Sequence, residues 1–182
     1  MKLTLIRHGM TEANEKRLYC GSTDLPLSAA GRAALHRMPP PAPGTRLISS
    51  GMRRCNETLA ALFGDVSYEI EPELREIDFG DFEMKSYDML RDDPAYRAWL
   101  AGDNEKNVPP HGESGERMKH RALAALGRIL SEGADAIVVT HGGVIAAVMA
   151  QLFPEENKSR YEWQSAPGSG YTIENGTYTP FP

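Results

Sequence analysis

Short apolar runs of strand-forming residues alternate with longer segments of helical pattern along most of this chain. Strands are predicted at residues 2–7, 45–50, 67–70 and 136–140. Strands separated by helices run parallel in one sheet, and the helices cover both of its faces. The pattern therefore predicts an α/β fold, a three-layer α/β/α sandwich around a mostly parallel central sheet.

End signals bound the predicted helices between these strands. Ser28 and Ser114 are suited to cap the first turn of a helix. Gly64 suits a helix C-terminus, and Pro154 cannot continue a helix. Helices are predicted at residues 29–38, 52–63, 114–131 and 144–153.

The remaining segments are predicted as loops, an insert and a hairpin. At 182 residues the chain fits one domain, spanning 1–182. The polar and proline-bearing stretch 102–112 is typical of a functional lid, so we expect a lid insert around 81–113. Residues 8–27 read as a long loop, and Asn175-Gly176 between β-prone runs predicts a hairpin.

Composition excludes several classes of function. The net charge is −5, from 25 acidic and 20 basic residues, which argues against a nucleic-acid partner. The apolar run at the N-terminus is broken at Arg7, too short for a signal peptide, and no later segment is long enough to span a membrane. The chain has two cysteines, Cys20 and Cys55, so neither a disulfide framework nor a cysteine metal site is expected. We expect a cytoplasmic location and no membrane partner.

Two of the five histidines follow predicted strands in the same way. His8 comes directly after strand 2–7 and His141 directly after strand 136–140, and a glycine follows each. Ligands of parallel α/β sheets bind at the carboxyl ends of the strands. A single histidine at a strand end usually only packs there. If these two strands are neighbours, however, both imidazoles face one crevice.

An arginine pair follows the second strand. Arg53 and Arg54 lie in the opening turn of helix 52–63, just after Ser49-Ser50. The N–H groups of a helix N-terminus favour an anion, and a guanidinium matches phosphate oxygens. An arginine pair on a helix is ordinarily solvated surface, and only its place at the same sheet edge indicates a phosphate site.

Five segments in a fixed order resemble the motifs of the histidine phosphatase superfamily, in its phosphoglycerate mutase-like branch. They are RHGMTEAN at 7–14, GSTDLPLS at 21–28, SSGMRRCNET at 49–58, LREIDFGDFE at 74–83 and VTHGG at 139–143. The resemblance covers most of the chain up to about residue 150. It implies the fold of that branch and the hydrolysis of a phosphomonoester.

The resemblance also implies catalytic roles. His8 takes the place of the nucleophile and Glu76 that of the proton donor. Arg7, Arg54 and His141 take the places around the phosphate. Alignment on the paired serines gives the arginine role to Arg54 and leaves Arg53 outside.

Further contacts and the ligand class follow from the same resemblance. Substrate-binding positions are expected at Asn14, Gly21, Thr11 and Gly142. The branch uses no metal and no cofactor, and its partner would be a small phosphorylated metabolite. The oligomeric state is left open.

The chemistry agrees with these roles. Phosphoryl transfer needs positioning and charge neutralisation over three oxygens, which arginines and a second histidine can supply. His8 must attack as a neutral imidazole, and nearby arginines are expected to favour that form. Repulsion by the phosphate dianion favours a protonated Glu76, which can then donate to the leaving oxygen and later accept a proton from water.

Other functions fit parts of the pattern. A phosphoglycerate mutase shares the pocket, although the short chain favours hydrolysis. Glu83-Met84 and the segment 110–114 resemble alpha-ribazole phosphatases, while a sugar-phosphate phosphatase or a promiscuous one is an equal alternative. A metallohydrolase with ligands His8, His141 and Glu76 is disfavoured because two arginines repel a cation. A non-catalytic phosphate-binding module is disfavoured because neither nucleophile nor acid is missing.

Overall fold

A six-stranded mixed sheet forms the centre of the computed structural model, which describes residues 1–103 and 105–182. The strands are β1 (Lys2–Arg7), β2 (Arg46–Ser49), β3 (Glu69–Ile70), β4 (Ala136–Thr140), β5 (Gly170–Glu174) and β6 (Thr177–Phe181). Their order is β3-β2-β4-β1-β5-β6. The first four in this order are parallel, whereas β5 and β6 form the predicted antiparallel hairpin at one edge. The predicted α/β fold with a mostly parallel sheet is confirmed.

Eight α-helices occur among the described residues. They are α1 (Glu12–Glu15), α2 (Ala29–Ala33), α3 (Arg53–Phe63), α4 (Tyr87–Leu90), α5 (Pro94–Leu100), α6 (Gly115–Ser131), α7 (Gly142–Leu152) and α8 (Arg160–Trp163). The side chain of Ser28 caps α2 and that of Ser114 caps α6, as predicted. Gly64 ends α3 with a φ of 83°, a value that favours glycine.

The helix predicted at 29–38 is shorter than expected, and part of the predicted loop is helical. Helix α2 ends at Ala33 because the chain turns to follow α3, where the N–H of Met38 donates to the carbonyl of Leu62 at 2.7 Å. In the segment predicted as a loop, Thr11 caps the short helix α1 through a reciprocal bond with Asn14. The first difference comes from a hydrogen bond between residues distant in sequence and the second from a local cap, and the apolar pattern encodes neither.

The sheet buries a different set of side chains on each face. Leu3 and Leu5 of β1 pack with α6 and α7 in the larger core, whereas Ile6 packs with α3 in the other. Side chains of successive strand residues point to opposite faces, so this division places helices on both sides of the sheet. The three layers follow from it.

The predicted insert packs on an aromatic cluster. Phe82, Leu90 and Tyr96 are buried together there, with Tyr19, Phe79 and Trp99 packed against them. Helices α4 and α5 carry three of these side chains, and Tyr19 comes from the loop after α1. The loop predicted at 102–112 follows α5, and its residue 104 lies outside the described residues. Within the described ranges, no helix is long and apolar enough to cross a membrane.

Candidate active site

The two strand-end histidines lie side by side. Strands β1 and β4 are parallel neighbours in which Arg7 pairs with Thr140, so His8 and His141 leave the sheet at the same edge. The backbone N–H of His8 donates to the carbonyl of Thr140 at 2.9 Å. The ring centroids of His8 and His141 are 5.2 Å apart, and both side chains are buried. The two strands are therefore neighbours, which is the condition under which both imidazoles were expected to face one crevice.

One hydrogen bond determines the tautomer of His8. Its Nδ1 lies 2.7 Å from the carbonyl oxygen of Gly9. Since a carbonyl only accepts, Nδ1 must carry the hydrogen, and Nε2 of the neutral ring keeps its lone pair. Burial lowers the pKa of His8 to about 3, with a further lowering by Arg54 and Arg7 and an opposing contribution from the Gly9 bond. The neutral ring was predicted from the nearby arginines, but burial is the larger cause of the lowered pKa.

Helix α3 supports Gly9 through Thr58. The backbone N–H of Gly9 donates to the hydroxyl of Thr58 at 2.9 Å, and this hydroxyl donates to the carbonyl of Arg54 at 2.7 Å. Thr58 is fully buried one helical turn after Arg54. The same helix face therefore positions Arg54 and the loop that orients His8.

Arg54 is the inward arginine of the pair. Its side chain is buried, and the guanidinium donates to the carbonyls of Thr23 at 2.9 Å and Gly21 at 2.8 Å. Arg53 is exposed, and its guanidinium pairs with Glu57 at 2.8 Å on the helix surface. The structure thus places the two arginines as the alignment of the serines predicts.

Arg7 approaches the site from the end of β1. Its guanidinium donates to the carbonyl of Ser165 at 2.7 Å. Burial lowers its pKa, and the charge of Glu76 opposes that shift. A Cβ on Gly142 would lie 3.1 Å from the Arg7 Cζ and 2.7 Å from the side-chain nitrogen of Gln164. Glycine at 142 therefore lets the guanidinium lie against the N-terminus of α7.

His141 is fully buried, and its two ring nitrogens differ in their contacts. Nε2 lies 2.9 Å from the hydroxyl oxygen of Ser50 and 3.6 Å from Sγ of Cys55. Nδ1 is buried and has no hydrogen-bond partner among residues 1–103 and 105–182. Burial holds the pKa of His141 well below its usual value, with Arg54 and His8 lowering it further. The ring is therefore neutral at pH 7.

Among the described residues, Arg7, Arg54 and His141 each have a buried side-chain nitrogen without a hydrogen-bond partner, which is Nε in both arginines and Nδ1 in the histidine. The same holds for Nε1 of Trp99 and of Trp163. Buried polar groups in folded proteins are almost always paired, so the unpaired nitrogens beside His8 are candidates for a catalytic role. The arrangement is suited to an anion with several acceptor oxygens beside His8.

Glu76 lies at the N-terminus of α7. One carboxylate oxygen accepts the backbone N–H of Gly143 at 2.9 Å, and the other accepts that of Ile77 at 3.1 Å. A Cβ on residue 143 would lie 2.4 Å from the Glu76 carboxylate. The second glycine of the VTHGG segment is therefore required by the approach of this carboxylate.

A cavity of about 260 Å³ is lined by Arg7 and Glu76, together with Asn14. Arg160 and Gln164 add further polar groups to its lining. The cavity is also lined by aromatic and larger apolar side chains, which are Leu18, Tyr19, Phe79, Trp99, Leu100 and Tyr161. The cavity therefore places Arg7 and the Glu76 carboxylate beside side chains that can contact a planar or apolar group.

The predicted substrate-binding residues differ in how many of their polar groups already form hydrogen bonds within the protein. The side-chain oxygen of Asn14 accepts from the N–H and the hydroxyl of Thr11, both at 3.0 Å, and the Asn14 amide nitrogen is left for the cavity. The Thr11 hydroxyl is committed to that cap. Gly21 uses its carbonyl on Arg54 and its N–H on Glu83. Substrate contacts by these residues and by Gly142 stay predictions.

The sequence argument gave no role to Ser50, Thr58 or Glu83. All three lie inside the quoted motifs, but their partners are distant in sequence or belong to the backbone. No periodicity or spacing signals such bonds.

Several titratable groups lie outside the site. His36, His111 and His120 are exposed. Cys55 is a buried thiol whose pKa burial raises to about 12. In ranges 1–103 and 105–182, no three His, Cys, Asp or Glu side chains converge closely enough to hold a metal ion.

Comparison with known proteins identifies the relatives of this chain. The model of the "Histidine phosphatase superfamily (branch 1)" matches residues 3–179. An "Adenosylcobalamin/alpha-ribazole phosphatase" of Salmonella typhimurium is 32% identical over 183 residues, covering 96% of this chain and 90% of that protein. A "Probable phosphoglycerate mutase GpmB" of Enterobacter sp. is 28% identical over 196 residues, covering 96% and 91%.

Solved structures give the same relationship. A putative alpha-ribazole-5'-P phosphatase from Escherichia coli K-12 superposes with a TM-score of 0.81 at 28% identity, covering 99% of this chain and 94% of the other. The alpha-ribazole phosphatase from Shigella flexneri superposes with a TM-score of 0.80, also at 28% identity, covering 98% and 94%.

Proposed function

The chain belongs to branch 1 of the histidine phosphatase superfamily and is a phosphatase, and we propose that His8 carries the phosphoryl group during hydrolysis of a small phosphomonoester. One observation carries the assignment of the site. Among the described residues, Arg7, Arg54 and His141 each keep a buried nitrogen without a hydrogen-bond partner, and Arg7 and His141 lie beside His8 at the ends of paired strands. They supply donors for the equatorial oxygens of a phosphoryl group.

In the first step, Nε2 of His8 attacks phosphorus and the bond from phosphorus to the ester oxygen breaks. The neutral ring and the hydrogen bond from Nδ1 to Gly9 leave the Nε2 lone pair free for this attack. The Nδ1–H bond also supports the cationic ring that forms when Nε2 becomes phosphorylated. Glu76 donates its proton to the departing alcohol oxygen.

In the second step, a water molecule attacks the phosphorus atom of phosphohistidine. Glu76, now a carboxylate, accepts the proton of this water as the P–N bond breaks. Inorganic phosphate forms and His8 returns to its neutral state. Glu76 and Arg7 line the same cavity, which supports a carboxyl group beside the reacting oxygens.

The arginines and His141 act through charge and hydrogen bonds. Loss of one such donor is expected to cost about 3–4 kcal/mol of transition-state stabilisation, by analogy with an oxyanion-hole donor. The charges of Arg7 and Arg54 also disfavour a metal cation at this place. Catalysis is therefore proposed to proceed without a metal, and activity should survive exhaustive chelation.

For the substrate, we propose a phosphate ester whose alcohol portion carries a planar aromatic group, such as alpha-ribazole 5'-phosphate. The aromatic wall formed by Tyr19, Phe79 and Trp99 supports this choice, since such rings stack on planar groups. Relatives named alpha-ribazole phosphatases support it as well. Relatives named as probable phosphoglycerate mutases support a second candidate, phosphoryl transfer on 3-phosphoglycerate.

Rapid quenching tests the reaction. Incubation with a ³²P-labelled phosphomonoester should trap label on His8, in a linkage stable to alkali and labile to acid. The variant His8→Ala should lose both label and turnover, whereas His120→Ala, which changes an exposed histidine of α6, should retain both. Full turnover by His8→Ala would refute the mechanism.

A substrate comparison tests the specificity. We expect the highest kcat/KM with alpha-ribazole 5'-phosphate in a panel that also contains sugar phosphates and 3-phosphoglycerate. Formation of 2-phosphoglycerate faster than free phosphate would favour the mutase instead.

A further inference from the structure

His141 presents one occupied and one unpartnered ring nitrogen. Nε2 faces Ser50 at 2.9 Å, while the buried Nδ1 has no partner. A neutral imidazole has one N–H and one lone pair, so the partner of Nε2 decides what Nδ1 can do. The role of His141 at the phosphate therefore depends on which group is the donor in the contact with Ser50.

The surroundings of Ser50 answer this question. Ser50 is fully buried, and its hydroxyl oxygen accepts the backbone N–H of Met52 at 3.4 Å. The hydrogen of the Ser50 hydroxyl still needs an acceptor. Nε2 of His141, at 2.9 Å, is a strong acceptor for it. Cys55 lies beside the same nitrogen, but its Sγ is also 3.7 Å from the carbonyl of Thr140, to which the thiol can donate.

We propose that Ser50 is a positioning residue that donates to Nε2 of His141 and so fixes the proton on Nδ1, from which it is donated to the phosphoryl group. This proposal rests on the phosphate site described above. With the opposite tautomer, the buried hydroxyl of Ser50 would lose its strong acceptor. The Nδ1 lone pair would also face the phosphate oxygens and repel them.

The two histidines then have opposite tautomers that suit opposite roles. His8 gives its Nδ1–H to the carbonyl of Gly9, which leaves a bare Nε2 to attack phosphorus. His141 accepts at Nε2 from Ser50, which leaves an Nδ1–H to donate. A single hydrogen bond behind each ring makes one imidazole a nucleophile and the other a hydrogen-bond donor.

Nitrogen NMR of the full-length protein tests this assignment. In protein labelled with ¹⁵N-histidine, the two ring nitrogens of a neutral histidine resonate far apart and report which carries the proton. The His141 signals are identified by their loss in His141→Gln. We expect a protonated Nδ1 and a bare Nε2 in the wild-type protein near pH 7.

Two neighbouring serines provide the variant and its control. In Ser50→Ala, we expect the His141 signals to shift toward Nε2 protonation and kcat to fall by roughly 10- to 100-fold, the range seen when the partner of a ligating histidine is removed. Ser49→Ala removes an equally buried hydroxyl that bonds to Asn56 and Gly51, and the His141 signals should not change.

Two results would overturn the assignment. A wild-type His141 with its proton on Nε2 would do so even if Ser50→Ala failed to fold. An unchanged Nδ1–H pattern in folded Ser50→Ala would show that Ser50 does not set the tautomer. Trapping of label on His8 in the rapid-quench experiment is independent of both results and tests the phosphatase mechanism separately.

Discussion

The carboxylate of Glu83 and the guanidinium of Arg54 bind opposite sides of the same three-residue loop. Glu83 accepts the backbone N–H groups of Gly21, Ser22 and Thr23, at 2.9 to 3.3 Å. Arg54 donates to the carbonyls of Gly21 and Thr23. Glu83 fixes the backbone of this loop, and the loop carbonyls in turn orient Arg54. Glu83 therefore orients Arg54 without contacting it.

Replacement of Glu83 by glutamine should loosen this loop. The amide keeps the shape but loses the charge and one acceptor oxygen. Because hydrogen bonds to charged groups are worth roughly 1.5–3 kcal/mol, we expect the free energy of unfolding to fall by about 2 kcal/mol. Turnover should fall as well, since Arg54 loses its fixed orientation. Urea unfolding and steady-state kinetics measure both effects. Glu174→Gln, at an exposed strand end, is the matched control and should change neither.

Gly21 should tolerate no side chain. A Cβ there would lie 1.7 Å from the carbonyl oxygen of Ile77, which is backbone and cannot move aside. For Gly21→Ala, we expect a loss of about 3 kcal/mol or more in the free energy of unfolding. Gly127, exposed in the middle of α6, has nothing within 4 Å of the same atom. Gly127→Ala should therefore stabilise the protein by about 1 kcal/mol. Equal effects of the two substitutions in thermal or urea unfolding would contradict the packing at Gly21.

Glu76→Gln should affect substrates according to their leaving groups. An alcohol with a high pKa needs a proton as it departs, whereas nitrophenolate leaves without one. We expect a large fall in kcat with an alkyl phosphate and a much smaller fall with nitrophenyl phosphate. Glu73→Gln changes an exposed carboxylate three residues earlier and should leave both rates unchanged. Equal losses with the two substrates would argue against proton donation by Glu76.

The buried His8 should make stability depend on pH. The folded protein holds His8 neutral with a pKa of about 3, whereas an unfolded histidine has its ordinary value near 6.5. Unfolding at pH 5–6 therefore takes up a proton, so the free energy of unfolding falls as the pH falls from 6.5 toward 3. Each such proton contributes about 1.4 kcal/mol per pH unit.

Substitution of His8 tests this dependence. Between pH 5 and 6, His8→Asn should weaken the dependence of unfolding free energy on pH by about 1 kcal/mol per unit, measured by urea unfolding. His120→Asn, which changes an exposed histidine, should retain the wild-type dependence. The same slope in wild type and His8→Asn would show that His8 is not held neutral.

Trp99 should contribute to substrate choice. It lines the cavity and packs edge-on against Tyr19 and Phe79. For Trp99→Leu, we expect kcat/KM with alpha-ribazole 5'-phosphate to fall by roughly 3- to 10-fold, the value of an aromatic contact. The kcat/KM with an alkyl phosphate, which has no ring to contact Trp99, serves as the internal control, since a general loss of folding would lower both. An equal decrease in kcat/KM with both substrates would show that Trp99 does not contact the substrate.

Much of the fold could be predicted from sequence because its signals are local. The apolar runs at 2–7 and 136–140 form β1 and β4, and Ser28, Ser114 and Gly64 bound their helices as predicted. The end of α2 was predicted wrongly because a hydrogen bond from Met38 to the distant Leu62 decides it. Local propensity cannot register such a partner.

For the site, the sequence placed the strand-end histidines and the arginine pair, because parallel strands bring their carboxyl ends to one edge. The choice of Arg54 over Arg53 came from the motif alignment, and the structure shows Arg54 buried and Arg53 exposed. The network behind these groups could not be predicted in the same way. Glu83 lies 60 to 62 residues from its loop partners, and Ser50 lies 91 residues from His141.

The chemical groups at the strand ends could be identified from sequence, since the strand ends follow from apolar patterning and short-range signals, whereas the order of the strands in the sheet could not. Tertiary structure alone decided the chemical states of these groups. Burial is the largest cause of the lowered pKa values of His8 and His141, while the bond from His8 to the Gly9 carbonyl and the bond from Ser50 to His141 set where each ring carries its proton. Both depend on desolvation and on contacts between segments far apart in the chain, which exist only once the chain is folded.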